Sequence, residues 1–461
     1  MGLDDTIVAI STPVGEGGIG IVRLSGKDAL KVADRIFLSK DRKRPSRFKT
    51  YTVHYGHIVN KEQEIIDEAI LTVMRAPKTY TREDVVEVNC HSGIVPLRKT
   101  LEMVLKNGAR LAEPGEFTKR AFLNGRIDVS QAESVLDIIR AKTDLSLKAA
   151  VNNLKGLFSK KIEGIRNELM DVFAHIEVSI DFSEEDDVDR LKTKDVFNKL
   201  KHVKREIEKL ISTARKGKIL RQGIRTVICG SPNVGKSSLM NALLKESRAI
   251  VTHIPGTTRD TIEEIINIKG IPVVLVDTAG IARSRHPVTR EGVRRSHFSI
   301  KEADLILFVL DYGRKIEKRD LDIMRKINDK EVVIVINKRD LKKRIDANKV
   351  RRVFPKKPVI YVSAINQSGI DELENIIQAV IFEGKAPSAD FISISNDRQL
   401  DILNRSLEDV NSALSSYKDK LPMDCMGTYV RSAIEGLGEI AGHTITEEAL
   451  DRIFSEFCIG K

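Results

Sequence analysis

Apolar positions change rhythm three times along the chain. Up to about residue 120 they form short β-rich runs, Ile7 to Ile10, Gly20 to Leu24, Tyr51 to Val59, Ala69 to Met74 and Val85 to Val88, separated by turn residues. A helical stretch from about Val95 to Leu105 intervenes, so this part predicts a small α+β domain. From Leu147 the apolar residues fall at Val151, Leu154, Phe158, Ile162, Ile165, Leu169, Phe173, Ile176 and Ile180. Steps of three and four predict one long amphipathic helix, and a second follows at Val196, Leu200, Val203, Ile207 and Leu210. The same spacing returns at Leu400, Leu403, Leu407, Val410, Leu414 and Tyr417. Helices that stop before residue 223 and resume after about 384 predict one helical domain interrupted by another, an easy insertion because domain termini tend to lie close together. The expected division is 1–120, 121–222, 223–384 and 385–461, with the second and fourth spans forming the helical domain.

The inserted span carries the chemistry. Thr226 to Cys229 is an apolar run, Gly230 to Ser238 reads GSPNVGKSS, and the helix-prone Ser238 to Leu244 follows. A G-x-x-x-x-G-K-[ST] loop between strand and helix lets backbone N–H groups converge on phosphate oxygens. Asn233, Val234, Gly235 and Ser238 line it, Lys236 reaches the outer phosphates, and the Ser237 hydroxyl ligates Mg²⁺. Downstream come Thr252, His253, Ile254, Pro255, Gly256, Thr257 and Thr258. Thr258 is placed to ligate Mg²⁺ when a γ-phosphate is present. A buried strand, Val273 to Val276, then delivers Asp277, Thr278, Ala279 and Gly280: the aspartate to the Mg²⁺ shell, the glycine N–H to the γ-phosphate. Val332 to Ile336 is another apolar strand, ending in Asn337, Lys338, Arg339 and Asp340. The Asp340 carboxylate accepts from N1–H and the exocyclic amine of guanine; adenine lacks that donor pair and would leave a buried acceptor unpaired. Ser363 and Ala364, after Val359 to Val362, complete the base pocket. Five such segments in this order predict a Ras-like α/β P-loop GTPase domain.

Composition adds less. A chain of 461 residues accommodates about three domains. Four cysteines, Cys90, Cys229, Cys425 and Cys458, show no paired spacing. With no signal-like amino terminus and no run of about eighteen apolar residues, the expectation is a cytoplasmic protein that does not enter a membrane. The net charge of +11 permits a polyanionic partner, but the basic residues are scattered and tryptophan is absent. From charge alone a solvated lysine-rich surface is the plainer reading.

DTIVAISTPVGEGGIGIVRLSG at the amino terminus, PGEFTKRAFLNGRIDVSQAES from Pro114 to Ser134, and the closing Phe457-Cys458-Ile459-Gly460-Lys461 together resemble the MnmE (TrmE) family of tRNA-modifying GTPases. The resemblance spans essentially the whole chain. It implies a homodimer that works with the FAD-containing protein MnmG. The pair would install aminomethyl or carboxymethylaminomethyl groups at carbon 5 of the wobble uridine of certain tRNAs. A tetrahydrofolate derivative, 5-formyl- or 5,10-methylene-tetrahydrofolate, would bind the amino-terminal domain, which also dimerises. Matching motif positions point to Arg23, Glu87, Arg126 and Lys461 as folate contacts. A carboxylate suits the pterin's donors and cations suit the glutamate tail. Cys458 falls in that pocket and is needed for the modification in the family.

Many small GTPases follow DTAG with a water-orienting glutamine; Ile281 stands there and can neither donate nor accept. The resemblance supplies an alternative, a K⁺ held by Asn233, Thr252, the Ile254 carbonyl and Thr257. The family's water-positioning glutamate, three residues before Gly292, is replaced by Thr289, and Glu291 is the nearby candidate carboxylate. A switch of another kind, such as a ribosome-assembly GTPase, would need neither a folate pocket nor a terminal thiol. If Asp340 reads guanine, Asp340→Asn should cost about 2–4 kcal/mol of GTP affinity. The variant should gain affinity for xanthosine nucleotides. Nucleotide titration checks both, and undiminished GTP binding would contradict the assignment.

Overall fold

A computed structural model of the chain describes residues 4–181, 189–246, 263–276, 300–382, 384, 392, 394, 396–419 and 421–461. They form two compact units: 1–136 with 154–200 and 408–461, and 137–153 with 201–407. Among the described residues no helix is long and apolar enough to cross a membrane.

The first unit is built on a seven-stranded sheet. Its strands are β1 (Ile7–Ile10), β2 (Gly17–Ser25), β3 (Phe37–Ser39), β4 (Thr52–Val59), β5 (Ile65–Met74), β6 (Val85–Ser92) and β7 (Arg110–Leu111), in the order β3-β4-β5-β6-β2-β1-β7. The period-two pattern decides which face is buried. Val22, Leu24, Leu71, Val73, Val86 and Val88 point into a core covered by helices Ala29–Ile36 and Ile94–Lys106. β1 reads IVAI without alternation because it is buried on both faces. Val8 joins that core, while Ile7 and Ala9 pack with Ala112 and Phe117 on the other side. Helix Leu157–Asp181 packs against helix Met423–Ala441 within the same unit.

The single long helix expected from Leu147 onward is instead two helices, Asp144–Leu154 and Leu157–Asp181. Gly156 breaks it with φ 81°, a left-handed conformation that glycine adopts at little cost. The Gln131 amide donates to the freed Leu154 carbonyl at 2.8 Å. Apolar periodicity runs through the break because both helices bury the same kind of stripe.

The second unit centres on a six-stranded sheet of order β13-β12-β11-β8-β10-β9. These are β8 (Ile224–Cys229), β9 (Glu263–Ile268), β10 (Ile271–Val276), β11 (Leu305–Asp311), β12 (Val332–Asn337) and β13 (Val359–Tyr361). All adjacent pairs are parallel except β9 with β10. β10, β11 and β12 are nearly uninterrupted apolar runs, as parallel strands covered on both faces tend to be. Ala149 and Leu220, from the flanking helical segments, lie in the same core as Ile228 and Ile271.

One polar cluster in the first unit was not read from the sequence. Arg120 is 2% exposed and donates to Asp5, Glu83 and Glu116 at 2.5, 3.0 and 2.9 Å. Arg110 pairs with Asp5 and Glu116 as well, both at 2.7 Å. Burial alone would raise the Glu116 carboxyl, but hydrogen bonds from Arg110, the Glu113 amide and Arg120 outweigh it and hold it below the usual range. Removing the cation would strand buried carboxylates, so Arg120→Leu should lose about 3–5 kcal/mol of stability at neutral pH. A group with a depressed folded pKa contributes above its unfolded value and loses that contribution as pH falls through the folded one. The gap between wild type and variant should therefore narrow in acid. Denaturant unfolding followed by circular dichroism at several pH values measures it.

Candidate functional site

The described residues among those expected to bind nucleotide follow the carboxyl ends of β8, β12 and β13, the edge where open parallel sheets bind ligands. The loop after β8 starts at Gly230 (φ 151°), where a Cβ would lie 2.3 Å from the Val309 carbonyl. Gly235 (φ 94°) is as constrained, since a Cβ there would lie 2.2 Å from Asn337 Nδ2. Helix Lys236–Glu246 follows, with Ser237 and Ser238 in its first turn. A helix start leaves backbone N–H groups without intrahelical partners, so this loop fits a bound anion. The Lys236 ammonium folds across the loop, donating to the Gly230 and Ser231 carbonyls at 3.1 and 2.9 Å. Asn233 takes a left-handed φ of 62°.

Asn337 ties the parts together. Its amide donates to the Val234 carbonyl at 3.1 Å, and its Oδ1 accepts from the Ala364 N–H at 3.0 Å. At 1% exposure it serves as an internal strut between phosphate loop and base loop. Lys338 donates to the Asn233 carbonyl (2.6 Å) and to Asp311 (2.7 Å). Ser363 donates to Asp340 at 2.5 Å, which fixes the carboxylate beside Ala364. Two contributors were missed by sequence reasoning. Asp311 ends β11 after an apolar run, the same signal that singled out Asp277. Asp320, 1% exposed, accepts from Ser231 at 2.5 Å and pairs with Arg314 at 3.1 Å, bracing the phosphate loop. Thr252, His253, Ile254, Pro255, Gly256, Thr257, Thr258, Asp277, Thr278, Ala279, Gly280 and Glu291 lie outside the described residues, as do Ile281 and Thr289.

A second constellation forms in the first unit. Arg23 on β2 and Glu87 on β6 are register partners, joined by a 2.7 Å ion pair. The Arg23 guanidinium also donates to the Gly460 carbonyl at 3.3 Å and lies 5.8 Å from the centre of the Phe117 ring. Ser11 donates to the same carbonyl at 3.2 Å. Gly460 (φ 95°) leaves no room for a side chain, since a Cβ would meet the Ile10 carbonyl at 2.6 Å. The Gly115 amide donates to the Cys458 carbonyl at 3.4 Å. Cys458 itself is exposed, as is Cys425, whereas Cys90 and Cys229 are buried, the latter with its thiol pushed up to about 12 by burial. Arg126 stacks on Tyr80 at 4.5 Å, and Tyr80 packs against the cluster that contains Phe117. Arg23 thus contacts both Glu87 and the terminal turn preceding Lys461. Arg126 is linked to them through Tyr80 and Phe117.

Residues 6–126 match the model of the GTP-binding protein TrmE N-terminus, and 129–458 match the MnmE helical domain. The tRNA modification GTPase MnmE of Bacillus subtilis (strain 168) is 47% identical over 458 residues, 99% of this chain and 100% of the relative. That of Geobacillus kaustophilus (strain HTA426) is 49% identical, covering 99% of each. The chain belongs to the MnmE family of tRNA modification GTPases. It is a GTP hydrolase of tRNA modification, and the ribosome-assembly alternative is set aside. As a GTPase of this family it uses a guanine nucleotide with Mg²⁺, and Ser237 at the start of the loop's helix is a hydroxyl of the kind Mg²⁺ takes. A tRNA is what it acts on.

Proposed function

We infer that this GTPase, acting as a homodimer with the FAD-containing MnmG, adds aminomethyl or carboxymethylaminomethyl groups at carbon 5 of the wobble uridine. One observation carries the reading: the Arg23–Glu87 pair meets the carbonyl of the penultimate residue, Gly460. A terminal turn seated with no space for a Cβ makes sense if the last residues complete a binding site. The donor set fits a folate. Glu87, 21% exposed, offers a carboxylate to the amino and N–H groups of a pterin, while Arg23 fixes its orientation. Arg126 and Lys461 suit the carboxylates of the glutamate tail. Bound there, 5-formyl- or 5,10-methylene-tetrahydrofolate supplies the one-carbon unit. Cys458, exposed in the same terminal turn, would serve that chemistry as nucleophile, proton donor or structural contact.

In the second unit Lys236 and Ser237 hold the outer phosphates and Mg²⁺, with Thr258, Asp277 and Gly280 completing the γ-phosphate side. Asn233, Thr252, Ile254 and Thr257 hold K⁺, whose positive charge stands in for an arginine finger. Glu291 is the candidate for positioning water. Residues 1–120 would then be the folate-binding and dimerising domain and 223–384 the GTPase domain. Residues 121–222 and 385–461 would be two parts of one helical domain, in a cytoplasmic protein.

The two chemistries separate by substitution. Cys458→Ser should turn over GTP near the wild-type rate yet leave wobble uridines unmodified. Lys236→Ala should lose both activities, because the conformational cycle stops without hydrolysis. GTPase turnover in vitro and nucleoside mass spectrometry of tRNA from a complemented knockout read the pair. Normal modification by Cys458→Ser would make this thiol a bystander.

A further inference from the structure

One cluster of charge belongs to neither site. The segment joining β3 to β4 carries Lys40, Arg42, Lys43, Arg44, Arg47 and Lys49 within ten residues, against the single acid Asp41. All six cations are exposed, and none forms an ion pair among the described residues. A solvated, pliable run would let such charges spread apart. Here the backbone is fixed.

Ser46 donates to Asp34 through both its N–H (2.8 Å) and its hydroxyl (2.6 Å). Arg75 donates to the Ser46 carbonyl at 2.6 Å and twice to the Phe48 carbonyl, at 3.2 and 3.1 Å. Ser39 donates to the Lys43 carbonyl at 2.8 Å. Pro45 and Phe48 are buried, and Phe48 stacks on His54 with ring centres 3.4 Å apart. Holding like charges in one rigid turn costs self-repulsion that an opposing polyanion relieves. Tyr51, 60% exposed, stands at the exit of the segment as an aromatic surface for a base or ribose.

The segment packs on the helix-covered side of the sheet: Ser46 is tied to Asp34 of helix Ala29–Ile36, and Phe48 lies in the core with Val86 and Val88. Its cations therefore form a surface separate from the Arg23–Glu87 pair, which lies on the other face. The geometry points to residues 40–49 as a surface that grips the phosphate backbone of the tRNA substrate. That contact does not depend on the folate reading given above.

The test uses the full chain, a fluorescently labelled unmodified tRNA transcript and a range of salt concentrations. The variant is Lys43→Gln, Arg44→Gln, Arg47→Gln and Lys49→Gln together, which spares the left-handed Arg42. It should bind at least tenfold more weakly at about 0.1 M salt, with a slope of log affinity against log salt shallower by about 3. A charge-preserving control, Arg44→Lys with Arg47→Lys, should stay within about twofold of wild type. GTP turnover and 5-formyl-tetrahydrofolate affinity, measured on the same samples, should not change. Failure of the folate reading would show in wild type and variant alike; failure of this one shows only in the tRNA titrations. Unaltered tRNA affinity and slope would overturn the proposal. So would a variant that binds tRNA normally but leaves it unmodified in cells, which would make the segment a docking site for a protein instead.

Discussion

Arg23 holds the two ends of the chain together. Its guanidinium is shared between Glu87, its register partner on the neighbouring strand, and the carbonyl of Gly460, 437 positions away. A cation among a carboxylate, a carbonyl and the face of Phe117 has few other places to go, and each of those groups is fixed by something else. Glu87 is held by the sheet, Phe117 by the cluster under β1, and Gly460 by the absence of a side chain against Ile10. Both partners of the Arg23–Gly460 contact lie in the first unit, which is made of 1–136, 154–200 and 408–461.

The nucleotide edge obeys a comparable constraint on a smaller scale. Asn337 spans the phosphate loop and the base loop with one side chain, and Gly235 exists in the form it does because the Asn337 amide occupies the space of a Cβ. The segments proposed to read guanine and to hold phosphate are thereby joined through one side chain. A substitution at Asn337 would loosen both, although in sequence the residue looks like one more contact to the base. Asp320 and Arg314 brace the same loop through Ser231.

How much could be seen beforehand follows from what kind of signal each feature leaves. Nine of the thirteen described strands were legible because burial on one or both faces imposes either alternation or an unbroken apolar run; β3, β7, β9 and β11 were not read, the first two being only three and two residues long. The phosphate loop and NKRD segment were legible because their chemistry needs fixed residue types at fixed spacing. The Gly156 break was not, since a left-handed glycine between two amphipathic helices leaves their periodicity intact. The Arg120 cluster was hidden for a different reason. Glu116 and Arg120 stand four apart, the spacing of an ordinary surface pair on a helix, and only the fold shows that this face is buried against Asp5 and Glu83. The terminal FCIGK was recognisable as a motif, but nothing in its composition says that Gly460 must lie against Ile10.

The proposed modification chemistry requires that terminal turn to complete a folate site. Gly460→Ala removes no candidate ligand; it asks a left-handed residue to carry a Cβ into the Ile10 carbonyl, so the turn must lift away from Arg23. Titration of 5-formyl-tetrahydrofolate into the full-length variant is the direct measurement. Affinity should fall at least tenfold, about 1.4 kcal/mol, with GTP turnover unchanged. Wild-type folate affinity in Gly460→Ala would contradict that requirement.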